Sequence, residues 1–554
     1  MASLAVFNYS RTHGAGTSDP RHRLVYFARF WYLFIQRDAE VKVKDEGLNP
    51  AKGPQAQSIL NALIWVLPLA GLLLSLSLMP YQVDDAYISY RYAQNFAAGE
   101  GLVYNPGEAA SEGFTSPLWF LLLSLGAGLL RMEFLPFFST ALGLLAYLGL
   151  LLVFARSSRA EPQVMRLLGM LALALWPGLV FYASTGMETL LFALGVLIFQ
   201  CAALELVPRK LGLAAAFLSI WIRPEGAWLI AMLLLSFLPF GELRRQLFSK
   251  RIVWQVTALI AGGALLTGLR WLLFADILPN TFYAKLPDYA AGLSYLKGFV
   301  LSWPGVLLTA LAFLGALSGE LRHRSFFLAG LAWMAAPVLE GGDWMPHYRF
   351  LLPAVAFLVL AALGAAHAPQ KSLRRGAGVL ALILAGLLGW QDLAMVRHAQ
   401  YSYEKLVRRE MAIATWTGEN GVASLASVDI GVLGYYSGVK IIDVVGLTDR
   451  RIARSAGGHL AKQFNLDYVF AGGKPECLIL RSTIRPVIEN GRLTRCRAGS
   501  EIERRLFFDR RLLTDYRLAM SLEVANDPRQ SKLLFLRKDH PLARKLTAVS
   551  RIVF

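Results

Sequence analysis

Apolar and polar positions alternate along this chain on the scale of whole helices rather than of single residues. Apolar runs occupy residues 59–79, 134–154, 166–182, 189–207, 210–222, 226–240, 251–274, 297–318, 325–340, 351–367 and 375–393. A bilayer core is crossed by about 20 helical residues, so these runs predict eleven transmembrane helices, several of them short for a straight crossing. The run at 117–130 is shorter and fits a helix lying along the membrane surface. After residue 394 no spanning run remains, and short apolar strands alternate with polar turns and helices. Residues 423–429 and 440–445 read as strands, with Gly434, Tyr435, Tyr436, Ser437 and Gly438 turning between them. The pattern predicts a polytopic α-helical membrane protein with a C-terminal α/β domain. Its parts are a tail at 1–58, a transmembrane module at 59–393 whose first loop is 80–133, and a soluble domain at 394–554.

Composition agrees with that class: 55% of the residues are hydrophobic and only 17% are charged. The first 58 residues are polar and basic, and no cleavable signal peptide is read there. The net charge of +18 does not point to nucleic acid, because much of the excess sits in short clusters between apolar runs. Cytoplasmic loops carry such clusters. Placing the tail inside puts Arg156, Arg159, Arg209, Lys210, Arg244, Arg245, Arg322 and Arg324 on the cytoplasmic face. The loops holding Asp84, Glu188, Arg223, Asn280 and Asp343 all fall on the opposite face, as does the C-terminal domain. The domain's 27 Lys and Arg against 16 Asp and Glu do not contradict this, since long domains translocate largely regardless of charge. The expected location is a bacterial plasma (inner) membrane, with the N-terminus cytoplasmic and the chemistry outside. Cys201 reads as a core residue; Cys477 and Cys496 would be free to form a disulfide in an exported domain.

The polar loops carry the candidate chemistry. Asp84 and Asp85 follow the first apolar run directly, and adjacent carboxylates at a membrane boundary need water, a partner or a substrate to satisfy them. The segment continues through Ala86-Tyr87-Ile88-Ser89-Tyr90-Arg91-Tyr92, Gly101-Leu102-Val103-Tyr104-Asn105-Pro106-Gly107-Glu108 and Glu112-Gly113-Phe114-Thr115. Farther on come Gly341-Gly342-Asp343-Trp344-Met345-Pro346-His347-Tyr348-Arg349-Phe350, and Asp429-Ile430-Gly431 with Gly434-Tyr435-Tyr436-Ser437-Gly438. No glycine-rich nucleotide loop opens a helix, which speaks against a cytosolic nucleotide-sugar enzyme.

From the first span to about residue 450, these motifs resemble the GT-C superfamily of membrane glycosyltransferases that use polyprenyl-phosphate sugar donors. Within it they are similar to the branch of terminal β-arabinofuranosyltransferases of mycobacterial cell walls and of pilin arabinosyltransferases. The resemblance implies an inverting transfer, of arabinofuranose in the first instance, from the lipid donor to an extracytoplasmic glycan or glycoprotein acceptor in envelope assembly. The alternatives are another lipid-linked sugar such as mannose or, in a different class, a lipid-linked-sugar flippase or transporter.

The resemblance makes Asp84 the catalytic base, with Asp85 its competitor or a positioner of the acceptor; either could instead cap the following helix. Arg349, His347, Arg223 and Lys285 are candidates for the donor phosphate, against an interfacial belt of snorkelling cations for the first two. Arg223 with Glu225 also reads as a structural pair beside Pro224. Asp343, Trp344, Tyr87 and Glu225 are candidates for sugar or acceptor, and Glu188 reads more simply as a helix cap. No cofactor is expected beyond the donor substrate, and no metal site is predicted. A divalent ion stays open, because Asp84, Asp85 and Asp343 could converge.

Overall fold

The computed structural model describes residues 54–79, 81–489, 492–524, 527–545 and 549–553. The chain divides into two units, 1–59 and 60–554. Of the first, only the start of the helix Pro54–Ser77 is described, so the expected cytoplasmic tail lies almost wholly outside the described residues.

The second unit is a helical bundle joined to a mixed sheet. Among the described residues, four helices are long and apolar enough to cross a membrane: Met132–Ser157, Lys250–Phe274, Pro346–His367 and Lys371–Glu419. A bent pair, Tyr289–Val300 and Trp303–Ser318, would make a fifth. It replaces the single span expected at 297–318 and turns by 76°, because Ser302 caps a new helix there, accepting from Gly305 N at 3.1 Å. Shorter apolar helices cover Ala62–Ser77, Pro117–Leu129, Gln163–Ala174, Thr189–Ala203 and Pro224–Phe237. Large apolar side chains face outward on these helices, among them Leu73, Trp254, Trp271, Leu272 and Trp390. An aqueous surface does not carry such a coat, and a lipid-facing one does. The protein is a multi-pass membrane protein.

The C-terminal segment forms a six-stranded sheet in the order β2-β1-β3-β7-β6-β8. Its strands are β1 (Ser424–Ser427), β2 (Lys440–Asp443), β3 (Cys477–Ser482), β6 (Tyr516–Val524), β7 (Asp527–Arg537) and β8 (Ser550–Val553). β4 (Val487–Glu489) and β5 (Arg492–Arg495) make a separate hairpin. The strands expected near 423–429 and 440–445 are present, but they pair in parallel. A simple turn cannot join parallel neighbours. The residues expected to turn between them instead continue a helix, Gly431–Ser437, that ends at Gly438 in the left-handed region (φ 66°). Cys201, Cys477 and Cys496 are all free thiols.

Candidate active site

Asp84 and Asp85 occupy the first turn of the helix Asp84–Ala97, and neither caps it; the N-cap position is Val83. The Asp84 carboxylate reaches a distant segment instead. Its Oδ2 accepts from Gly431 N at 3.0 Å and its Oδ1 from Val432 N at 2.8 Å. A Cβ at Gly431 would run into the Asp84 backbone, so the approach requires glycine. Burial pushes the Asp84 carboxyl up to about 7, the nearby Asp429 charge adds to the rise, and the Val432 N–H only partly offsets it. Asp85 is partly buried and takes no hydrogen bond or ion pair among the described residues.

Three side chains of the 80–133 loop bolt this arrangement to the C-terminal segment. Arg91, 5% exposed, donates to Tyr104 O at 2.7 Å, Val439 O at 2.8 Å and the Gly434 carbonyl. Tyr104 Oη donates to Ile430 O at 2.7 Å. Asn105 pairs with Ile441 in both directions, Nδ2 to O at 2.8 Å and N to Oδ1 at 2.9 Å, and so completes the open edge of β2. The motifs around residues 91 and 104 are therefore fasteners. The sequence offers them only as motifs carrying the superfamily resemblance; the edge position of β2 is what shows the role of Asn105.

Beyond Asp84 lies a buried ion-pair network. Lys532 Nζ, on β7, sits 3.0 Å from Asp429 Oδ2 and 2.7 Å from Glu410 Oε2. Arg409 pairs with Glu410 at 2.8 Å. Burial opposes ionisation of Asp429, yet Lys532, with Arg481 and Arg409 behind it, holds its carboxyl at about 2. Asp429 and Lys532 therefore enter the site, although the sequence marked the first only as part of a motif and the second not at all.

The other candidates fall into separate places. Arg223 donates to Glu188 at 2.5 Å and to Glu225 at 3.0 Å from Nε. Glu188 sits at the N-cap of Thr189–Ala203 but makes no cap bond, so the simple cap reading gives way to an ion pair. Arg349 pairs with Asp343 at 2.5 Å. Both guanidiniums flank the Phe350 ring, at 4.8 and 4.9 Å. With Glu225 and Glu340 they line a small cavity of about 10 Å³, and Arg349 Nη1 is buried with no hydrogen-bond partner among the described residues. His347 and Tyr348 both adopt left-handed backbone (φ 62° and 53°), a strained pair for residues with side chains. The His347 ring packs on Phe181 at 5.0 Å, and Phe181 packs on Tyr81 at 5.9 Å, three residues before Asp84. Tyr87 is buried among Tyr90, Tyr435 and Tyr436. With Gln82 it borders a cavity of about 140 Å³ near the acidic pair. Trp344 is 68% exposed, and Lys285 is exposed near His459. Asp84, Asp85 and Asp343 do not converge: among the described residues no group of three or more His, Cys, Asp or Glu is arranged to hold a metal ion.

Two solved structures share this architecture. ArnT from Cupriavidus metallidurans in the apo state superimposes with a TM-score of 0.55 at 12% identity, over 86% of this chain and 98% of that one. The same enzyme bound to undecaprenyl phosphate gives 0.53 at 12% identity, over 87% and 98%. The chain shares the fold of ArnT. The Archaeoglobus fulgidus oligosaccharyltransferase in its apo form is more distant, with a TM-score of 0.47 at 13% identity over 76% of this chain and 69% of that one. A family profile described as "Domain of unknown function (DUF8728)" matches residues 394–534. No curated protein matches the chain in sequence.

Proposed function

We propose that this protein is an inverting glycosyltransferase that moves arabinofuranose from a polyprenyl-phosphate donor to an extracytoplasmic glycan or glycoprotein during envelope assembly. The observation that carries the reading is Asp84: a partly buried carboxylate, oriented by two backbone amides and pushed up to about 7, in the first loop of a GT-C fold. A general base works best when its pKa lies near the working pH. Asp84 takes the proton of the acceptor hydroxyl as that oxygen attacks the anomeric carbon from the face opposite the phosphate. The sugar–phosphate bond breaks and polyprenyl phosphate departs as a stable anion, so no separate acid is required. Asp85, with no partner among the described residues, orients the acceptor. Arg349, whose Nη1 has no hydrogen-bond partner among the described residues, and His347 receive the donor phosphate. Arg223 already carries two carboxylates and supports the Phe350 shelf. The undecaprenyl phosphate seen on ArnT supports a lipid-phosphate donor here. By the charge rule the chain crosses eleven times, and the residue 80–133 loop and the C-terminal sheet face outward.

Purified protein assayed with synthetic polyprenyl-phosphate arabinofuranose and an arabinoside acceptor tests the reading. Wild type transfers, Asp84→Asn falls at least about a hundredfold, and Asp85→Asn raises the acceptor KM more than it lowers kcat. The acid limb of wild-type kcat/KM lies near pH 7, because activity is lost as pH falls and Asp84 takes up a proton. Transfer of mannose but not arabinofuranose would replace the sugar and keep the class. Full activity in Asp84→Asn would remove the proposed base.

A further inference from the structure

We propose that Asp429 and Lys532 are positioning residues for Asp84, so that the C-terminal sheet holds the catalytic carboxylate in place and sets the charge it faces. The inference rests on Asp84 acting as the base, and its geometry is independent of that role. Asp429 lies two residues before Gly431, whose N–H binds Asp84. Lys532, 2% exposed, pins Asp429 at 3.0 Å and Glu410 at 2.7 Å. Glu410 belongs to the helix Arg408–Glu419, which continues from the last long apolar helix, and Lys532 belongs to β7, which pairs with β3. One ammonium therefore ties the membrane bundle, the Asp429–Val432 loop and the sheet together.

The charges around Asp84 are few enough to name. Asp85 is on its own helix, Tyr81 precedes it, and Tyr104 approaches from the loop. Asp429 and Glu410 bring negative charge from beyond the amides. Lys532, Arg409 and Arg481 stand behind Asp429. Removing Lys532 exposes Asp84 to less compensated negative charge, with Arg409 and Arg481 still keeping Asp429 ionised. Removing the Asp429 charge does the opposite. A buried partner left alone is costly, but damage alone would not produce shifts of opposite sign.

The test uses full-length protein in detergent and two readouts. Infrared difference titration, with the band assigned by its loss in Asp84→Asn, follows the Asp84 carboxylate without any substrate. The pH profile of kcat/KM for transfer from polyprenyl-phosphate arabinofuranose follows its role. Lys532→Met should move the Asp84 titration and the acid limb about one pH unit higher, roughly tenfold less ionised base on the acid side. Asp429→Asn should move both lower, and Lys532→Arg should restore the wild-type position. An Asp84 titration that stays fixed, or moves the same way in Lys532→Met and Asp429→Asn, overturns the inference. Opposite shifts in the titration with full transfer by Asp84→Asn would uphold the network and reject Asp84 as the base.

Discussion

Arg349 meets two demands at once, because its Nε is committed to Asp343 while Nη1 is buried with no partner among the described residues. An unpaired guanidinium N–H in a buried cavity is costly to leave unmade, and a phosphate oxygen would satisfy it. Arg349→Lys keeps the charge but loses the fork geometry. Its expected result is a ten- to hundredfold drop, roughly 1.5–3 kcal/mol, in kcat/KM for the lipid donor, with little change for the acceptor. If Arg349 only braces Asp343, the melting temperature falls and kcat/KM of the surviving enzyme does not. Arg223, by contrast, has Glu188 and Glu225 close on both sides, and its cationic charge is spent within the protein.

At the scale of elements, Glu161 joins the turn after Leu135–Ser157 to the helix Leu321–Glu340 and the segment ending at His367. Its carboxylate meets Arg322 at 2.6 Å, His323 at 3.1 Å and His367 at 2.9 Å. His323 Nδ1 accepts from Glu320 N, so Nε2 carries the proton that points at Glu161. Burial works against the charge, but the two histidine hydrogen bonds and Arg322 outweigh it and hold the carboxyl at about 2. A depressed carboxylate contributes stability above its ordinary value of 4.5, and that contribution fades as pH falls toward 2. Glu161→Gln should therefore melt lower than wild type at pH 7, and thermal scans should show the gap closing between about pH 4.5 and 2.

The same scale shows what a single sequence can convey. The helical bundle was readable because apolar runs and basic clusters alternate over long, redundant stretches. The acidic pair was readable because carboxylates next to such a run are costly. Arg91, Asn105, Asp429 and Lys532 escaped because each acts on a backbone or a charge a hundred or more residues away, and no local pattern encodes that partner. The helix Gly431–Ser437 was read as a turn because its glycines and tyrosines suggest one. Only the parallel pairing of β1 with β2 requires a longer connection.

For the whole molecule, the proposed sidedness, with the C-terminal sheet facing outward, is one that the thiols can report. Cys201 and Cys477 are buried, whereas Cys496 is partly open. In intact cells, a membrane-impermeant maleimide should label Cys496 and leave Cys496→Ser unlabelled. Labelling only after the inner membrane is opened would place the C-terminal sheet on the cytoplasmic side and invert the topology.

Asp84 and the amide that receives it are 347 residues apart in the chain. The first membrane helix and its acidic loop are made early, yet the partner of that loop emerges only after nearly all the bundle has been synthesised. Lys532, which fixes the partner, comes later still. Until the C-terminal segment is made, the Asp84 carboxylate lacks both backbone amides that hold it.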